Sequence, residues 1–289
     1  MSSHIEPPAP LSADLTAVAE ALVRRRTVGA AFPAGLRLGD ITASEAYAIQ
    51  AHVAARMGWF PEGPRAWKVG GTTDISAAPL PEVLTAPAHG HTTWALPAGQ
   101  DEALIEAELA FRLARPVAAT ATLAEALACV GTVCVSLEVI GSRLPDGLAS
   151  PAPWKLADQG VHAGLVVGQE RPCAPWQAFT DGDWLAQTCH IHVRRNDGPA
   201  LAHEARGNHP AIQAGLHPLH TLPWLARHAA AQRRHRTVEH AGTNEAKPIE
   251  GLQAGDLVTA GAWLVTTVHR GDDVEVGFEG LSPVRLRMA

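Results

Sequence analysis

The chain has 289 residues, 46% hydrophobic and 18% charged, with Lys+Arg 23 against Asp+Glu 29 for a net charge of −6. That supply of apolar residues suffices for one large domain or two small ones and excludes a disordered or fibrous chain. An acidic balance with no basic tract longer than Arg233-Arg234-His235-Arg236 speaks against nucleic acid as a partner and leaves a small molecule as the expected ligand.

The longest apolar runs, such as Leu165-Val166-Val167, are too short to span a bilayer. The opening Met1-Ser2-Ser3-His4-Ile5-Glu6 lacks the basic-then-apolar order of a secretion signal, so a cytoplasmic protein without a membrane partner is expected. Cys129, Cys134, Cys173 and Cys189 form no CxxC pair and are expected to be reduced.

Taken in chain order, Leu15, Val18, Ala19, Leu22 and Val23 recur at helix spacing behind a Ser12 cap, and Arg24-Arg25-Arg26 closes that helix. Thr42 and Glu45 form a capping box before Ala46, Ile49 and Val53, with Gly58 as the stop. A third, short helix runs from Thr122 to near Gly131. From about Glu102 the period becomes that of strands, predicted over Leu104 to Leu113, Val133 to Ile140, Val161 to Val167 and Cys189 to Arg194.

Asn196-Asp197-Gly198 then signals a hairpin turn. Leu219 to Ala231 has helical spacing, and the polar segment Arg233 to Glu250 reads as a surface excursion. Asp256 to Val258 and Val274 to Phe278 read as strands separated by Gly271-Asp272-Asp273. Helices first and a strand-rich body after them make an α+β arrangement.

The most informative segment is Leu104-Ile105-Glu106-Ala107-Glu108-Leu109-Ala110-Phe111. Strand residues two apart share a side, so Glu106 and Glu108 stand on one face, about 6–7 Å apart at the backbone, and Ile105, Ala107, Leu109 and Phe111 on the other. By itself this is the pattern of a half-exposed strand with its acidic face in water. Glu138 changes the reading. It lies in the apolar run Val133 to Ile140, where a charge must be paired, protonated or bound to a cation.

Three glutamates without an obvious cationic partner form a hard, oxygen-only site suited to Mg²⁺ or Mn²⁺. His190 and His192 alternate in a strand without a spaced partner and read as ordinary polar surface. Lys68, Lys155 and Lys247 are the only lysines in a chain that otherwise uses arginine, which suggests that a compact amine is wanted at those positions. Lys68 precedes Val69-Gly70-Gly71, where the two glycines let backbone approach a ligand, and Lys155 lies three residues before Asp158.

The ordered string Ala46-Tyr47-Ala48-Ile49-Gln50, Trp67-Lys68-Val69-Gly70, Glu106-Ala107-Glu108-Leu109-Ala110-Phe111, Glu138, Ser142-Arg143, Leu156-Ala157-Asp158 and Val166-Val167-Gly168 resembles the fumarylacetoacetate hydrolase superfamily. His217-Pro218-Leu219, Trp224-Leu225-Ala226 and Ala254 to Gly261 complete the resemblance, which covers roughly residues 40 to 280 and is nearest to the branch of 2-keto-4-pentenoate hydratases and 4-oxalocrotonate decarboxylases. It implies a mixed β-roll core with a helical N-terminal part. The corresponding division is an N-terminal helical/α+β region over 1–95 and a catalytic domain over 96–289, assembled into a homo-oligomer.

The resemblance also implies Glu106, Glu108 and Glu138 as ligands of Mg²⁺ or Mn²⁺, Lys68 and Asp158 as acid/base residues, and Gly70, Arg143 and Gly261 as substrate contacts. The implied chemistry is that of 2-oxo acids and their enols, in aromatic catabolism. Hydration of a 2-hydroxypenta-2,4-dienoate is the leading expectation, with decarboxylation of a 4-oxalocrotonate-type diacid or C–C hydrolysis of an acylpyruvate as alternatives. A further alternative is a non-catalytic partner subunit.

Lys155, a third candidate catalytic residue, matches a lysine of the hydrolase and decarboxylase members and argues against a simple hydratase. Gly141, Gln159 and Ala262 depart from the family's Asp, Asn and hydroxyl residue, and the excursion over 233–250 is longer than its usual link.

Overall fold

The structure is a computed structural model that describes residues 11–36, 38–97, 100–196, 198–239 and 251–289. The chain opens with helices α1 (Ala13–Val28) and α2 (Ala43–Arg56). Four short strands follow, β1 (Ala66–Gly70), β2 (Ser76–Pro79), β3 (Val83–Thr85) and β4 (Thr92–Trp94), and then the long β5 (Glu102–Leu113). Next come α3 (Leu123–Leu127), β6 (Val130–Ile140), α4 (Ala152–Ala157), β7 (His162–Val167), β8 (Arg171–Pro172), α5 (Ala174–Gln177) and α6 (Asp181–Ala186). The chain closes with β9 (Thr188–Arg194), β10 (Leu201–Arg206), α7 (Pro210–Gln213), α8 (Leu222–Glu239), β11 (Leu257–Thr259), β12 (Leu264–His269), β13 (Asp273–Phe278) and β14 (Val284–Met288).

The strands form two sheets. The larger runs β2-β1-β11-β5-β6-β7-β3, with β12 also on β5 and β8 also on β6, and the smaller runs β10-β9-β13-β14-β4. The main core lies between them, where Ile105, Leu109 and Phe111 of β5 and Val133, Val135 and Leu137 of β6 belong to one cluster with Ile191 of β9, Val276 of β13 and Leu286 of β14. Pairings of β1 with β11 and of β4 with β14 carry strands from before residue 95 into both sheets.

A second cluster joins Val18 and Leu22 of α1, Ala46, Ile49 and Val53 of α2, and Trp154 and Ala157 of α4. Trp154 Nε1 donates to the Gly39 carbonyl at 2.7 Å and ties α4 to the loop before α2. This helical corner anchors α4, and with it the start of the segment 158–162 that follows directly in the chain.

Capping physics explains the expectations that hold. Ser12 accepts from Leu15 N, and the Thr42/Glu45 and Thr122/Glu125 capping boxes are both made. The third helix ends at Leu127, earlier than expected, and Gly131 belongs to β6. Strands also begin well before Glu102: β1 and β2 are short and end in glycine and proline, so they show too few residues to reveal a period. A strand, β12, lies between the two expected near the end of the chain.

The hairpin after Arg194 is formed by β9 and β10, with Asp197 outside the described residues. The last helix runs through Glu239, so the first part of the expected excursion is helical. Residues 240–250, including Lys247, and residues 1–10 lie outside the described residues. No helix among the described residues is long and apolar enough to cross a membrane.

Candidate metal and active site

Alternation along three strands brings the candidate residues to one face of the larger sheet. On β5 the odd-numbered Ile105, Ala107, Leu109 and Phe111 enter the intersheet core, so Glu106 and Glu108 point away from it. On β6 Val135, Leu137 and Val139 enter the same core and Glu138 points away; on β1 Trp67 and Val69 do so and Lys68 points away. The antiparallel register sets Glu106 directly opposite Glu138. One ligand oxygen from each of Glu106, Glu108 and Glu138 lies within 4.8 Å of the others.

This acidic face is not a solvated one. Glu108 and Glu138 are buried, at 1% and 0% exposure, and only Glu106 is partly open. The carboxylates also have a cationic partner that the sequence does not reveal. Lys68 Nζ donates to Glu138 Oε1 at 2.8 Å and to the Gly160 carbonyl at 3.2 Å, and it stands 4.0 Å from Glu106 Oε2. Two strands, β11 and β5, separate β1 from β6, a span of about 14 Å at the backbone in a flat sheet. Side chains that stand off the sheet close such a gap only if it curls toward them.

Burial and mutual repulsion set the charge states. Burial, followed by the fields of Glu138 and Glu106, pushes the Glu108 carboxyl well above the usual carboxylate range. Burial likewise raises Glu106, with Lys68 acting against it. Glu138 is also disfavoured by burial, but Lys68 and the His162 hydrogen bond outweigh this and hold it below its ordinary value. Lys68 meets the same opposition: burial disfavours its charge, the three carboxylates restore it, and the net direction is up. The ammonium is therefore a held proton, and Glu138 is its counter-ion.

His162 completes the surroundings of Glu138 and was not singled out from the sequence. Its Nδ1 lies 2.9 Å from Glu138 Oε1 and its Nε2 lies 3.3 Å from the Glu82 carbonyl, with the ring buried. A polar residue opening an otherwise apolar strand is the same signal that picked out Glu138, and it applies to His162 as well. Just before it, Gln159, Gly160 and Val161 have φ of 55°, 62° and 55°. A left-handed run that includes a β-branched residue is costly backbone, and it aims the Gly160 carbonyl at Lys68.

The other expected site residues fall in several places. The Asp158 carboxylate is fully buried. Its Oδ1 accepts from Arg26 Nη2 and from Arg143 Nε, both at 2.8 Å, and its Oδ2 accepts from the Arg143 backbone N–H at 2.7 Å. The Arg143 guanidinium also donates to the carbonyls of Gly141, Asp158 and His162. Asp158 and Arg143 are thus directed at each other and at the backbone of this segment, rather than disposed as a free acid/base and a free substrate donor.

Lys155 is half-buried on α4, and its ammonium has no hydrogen bond or ion pair to another described residue. Gly70 ends β1 opposite Ser76. Gly261 has φ 119°, and a Cβ there would lie 3.3 Å from His209 Nε2. Among the departures from the family pattern, Gly141 lies where a Cβ would be 3.3 Å from Ala163 Cβ, and Gln159 is fully buried with Nε2 donating to the Pro79 carbonyl at 3.3 Å.

The residues present fit a hard divalent ion. Glu108 Oε2 and Glu138 Oε2 are buried and have no hydrogen-bond partner among the described residues, although buried carboxylate oxygens are normally satisfied. Three carboxyl groups at such spacing, two of them carrying an orphaned oxygen, are what an oxygen-seeking cation would draw together.

The model of the fumarylacetoacetate (FAA) hydrolase C-terminal family matches residues 76–289. The chain belongs to that family. Among solved structures, it is similar over 97% of its length to 99% of 4-oxalocrotonate decarboxylase from Pseudomonas putida G7 complexed with magnesium and adipate, at 17% identity and a TM-score of 0.68. The same decarboxylase complexed with calcium and acetate gives a TM-score of 0.67, with the same identity and coverage.

A putative fumarylpyruvate hydrolase from Burkholderia cenocepacia shares 18% identity over 78% of this chain and 85% of that one, with a TM-score of 0.51. No curated protein matches the chain by sequence. At these identities the structures establish a shared fold. In this fumarylacetoacetate hydrolase family member, that fold places the three carboxylates, the lysine and the histidine together.

Proposed function

We propose that this member of the fumarylacetoacetate hydrolase family is a divalent-metal-dependent lyase acting on a small unsaturated 2-oxo acid. Glu106, Glu108 and Glu138 hold Mg²⁺ or Mn²⁺ in this reading. The observation that carries it is the convergence of those carboxylates within 4.8 Å, with orphaned buried oxygens on Glu108 and Glu138. When bound, the ion supplies Lewis-acid stabilisation of the negative charge that develops on a 2-oxo acid as it enolises.

The chain's own residues do the rest. Lys68 holds Glu138 Oε1 in place and keeps a proton on Nζ that it can donate beside the carboxylates. His162 fixes the same oxygen from the other side. Asp158, clamped by Arg26 and Arg143, positions the turn that presents the Gly160 carbonyl to Lys68. Gly70 and Gly261 let backbone approach a bound acid, and assembly into a homo-oligomer belongs to the same reading.

Two reactions use these parts. Hydration of a 2-hydroxypenta-2,4-dienoate follows from the hydratase branch of the resemblance. Decarboxylation of a 4-oxalocrotonate-type diacid gains support from Lys155, whose ammonium has no partner among the described residues and could pair with a second carboxylate, and from the end-to-end likeness to a decarboxylase. A proton NMR time course with each substrate, run with Mg²⁺ and again with chelator, tests both. Metal-dependent loss of CO₂ or addition of water is expected, and no turnover of either substrate by a folded, metal-binding protein would favour a non-catalytic subunit.

A further inference from the structure

The outer face of the smaller sheet carries a second group of ligand-type side chains, unrelated to the carboxylates above. His190 and His192 lie two apart on β9, and Glu275 lies on the neighbouring β13 directly opposite His192. A nitrogen from each ring and one Glu275 oxygen lie within 4.8 Å of one another. His190 Nε2 is 3.8 Å and His192 Nδ1 is 3.9 Å from the same oxygen, Glu275 Oε1. The sequence hides this group, because its third member comes from another strand.

Two further features build the group. Gly277 faces His190, and a Cβ there would lie 2.3 Å from His190 Cε1, so the imidazole lies over bare backbone and stacks on His192 with ring centroids 4.6 Å apart. Arg285 on β14 binds Glu275 Oε2 with Nε at 2.7 Å and Nη2 at 2.6 Å, leaving Oε1 directed at the two histidines. Two imidazoles and one carboxylate oxygen are a ligand set for a borderline transition-metal ion rather than for Mg²⁺.

Tetrahedral zinc needs neighbouring donor atoms about 3.3 Å apart. The histidine-to-glutamate distances exceed that by about half an ångström, which rotation of partly exposed side chains can close.

We propose that His190, His192 and Glu275 form a surface site for Zn²⁺ or a similar transition-metal ion. Three protein ligands on a solvent-facing sheet leave a fourth position to water, so the site is of the open kind and also ties β9 to β13.

Isothermal titration with zinc chloride in saturating Mg²⁺, and the visible absorption of added Co²⁺, test the proposal on the full chain. One zinc per chain is expected to be lost in the double variant His190→Ala/His192→Ala, together with the cobalt bands. Glu275→Gln should weaken zinc at least about tenfold. Gly277→Ala keeps all three ligands but displaces His190, and should weaken zinc as well. Melting curves in the absence of metal check that each variant is folded. Zinc uptake unchanged in the folded double variant, or lost equally in Glu106→Gln, would overturn the site; the second result would place the ion on the other carboxylates.

Discussion

Glu106 and Glu138 face each other directly across the β5–β6 pair, two carboxylates at a register position where like charges repel. Only one of them has a close cationic bond, because Lys68 lies 2.8 Å from Glu138 but 4.0 Å from Glu106. Their substitutions should therefore act in opposite directions on the metal-free protein.

Glu106→Gln removes the repulsion and is expected to raise metal-free stability by about 0.2–1 kcal/mol. Glu138→Gln takes from a mostly buried Lys68 its hydrogen-bonded counter-ion, leaving only the more distant Glu106 and Glu108, and is expected to cost about 3 kcal/mol. Both variants should lose the rise in Tm that Mn²⁺ gives the unmodified protein. Urea melts with chelator and thermal shifts with Mn²⁺ read the two effects separately, and an unchanged Mn²⁺ response in Glu106→Gln would sink the ligand assignment.

The legibility of this site followed from alternation. Glu106, Glu108 and Glu138 each stand in a strand whose neighbours on either side are apolar, so the sequence exposes both the strand and the misfit charge, whereas Lys68 stands out only as a rare lysine, in a strand too short to show a period. What stayed hidden depends on pairings distant in sequence. Lys68 meets Glu138 across two intervening strands, β11 and β5, an order set by pairings far apart in the chain. The clamp of Arg26 and Arg143 on Asp158 joins α1 to a loop more than a hundred residues later, and no local pattern records it. Short strands such as β2 and β3 escaped for a simpler reason, having too few residues to show a period.

The left-handed turn offers a test of how the lysine is held. Gly160 has φ 62°, and a Cβ there would lie 3.2 Å from Lys68 Cδ. Gly160→Ala is expected to cost about 1–2 kcal/mol from the backbone alone. It should also shift Lys68 from Glu138 and lower turnover beyond what the small loss of folded protein explains. Comparing kcat with Tm in Gly160→Ala checks this, and a variant with normal kcat and a lowered Tm would show that the turn does not govern the lysine.

His209 gives the protein a sensitivity to mild acid. Burial pushes its imidazole down to about 4, with Nδ1 accepting from Ala211 N–H and Nε2 donating to the Ala260 carbonyl. The folded state thus favours the neutral ring, while the unfolded chain protonates near 6.5, so stability from this group is present above that value and falls away as pH drops toward 4. The loss is at most about 3 kcal/mol. His209→Asn keeps a capping side chain without a titrating one, and should lessen the fall in urea-melt stability between pH 7 and pH 5. An identical fall in the variant would refute the assignment.

Asp158 separates two roles that activity alone would confuse. A free acid/base residue, once replaced, lowers turnover about 10²–10⁴-fold while the fold is kept. The carboxylate here instead joins two nearly buried guanidiniums, with Arg26 10% and Arg143 12% exposed. Asp158→Asn keeps the shape but leaves both cations short of a counter-charge, at an expected cost of about 3–5 kcal/mol. For a chain of this size that lowers Tm on the order of 5–15 °C.

Arg26→Met removes one of the two cations and should destabilise less, because Arg143 still satisfies the carboxylate. Restoring some stability to Asp158→Asn by adding Arg26→Met would show that excess buried charge, rather than a missing proton carrier, is what the substitution creates. A normal Tm in Asp158→Asn with turnover abolished would return this residue to acid/base chemistry.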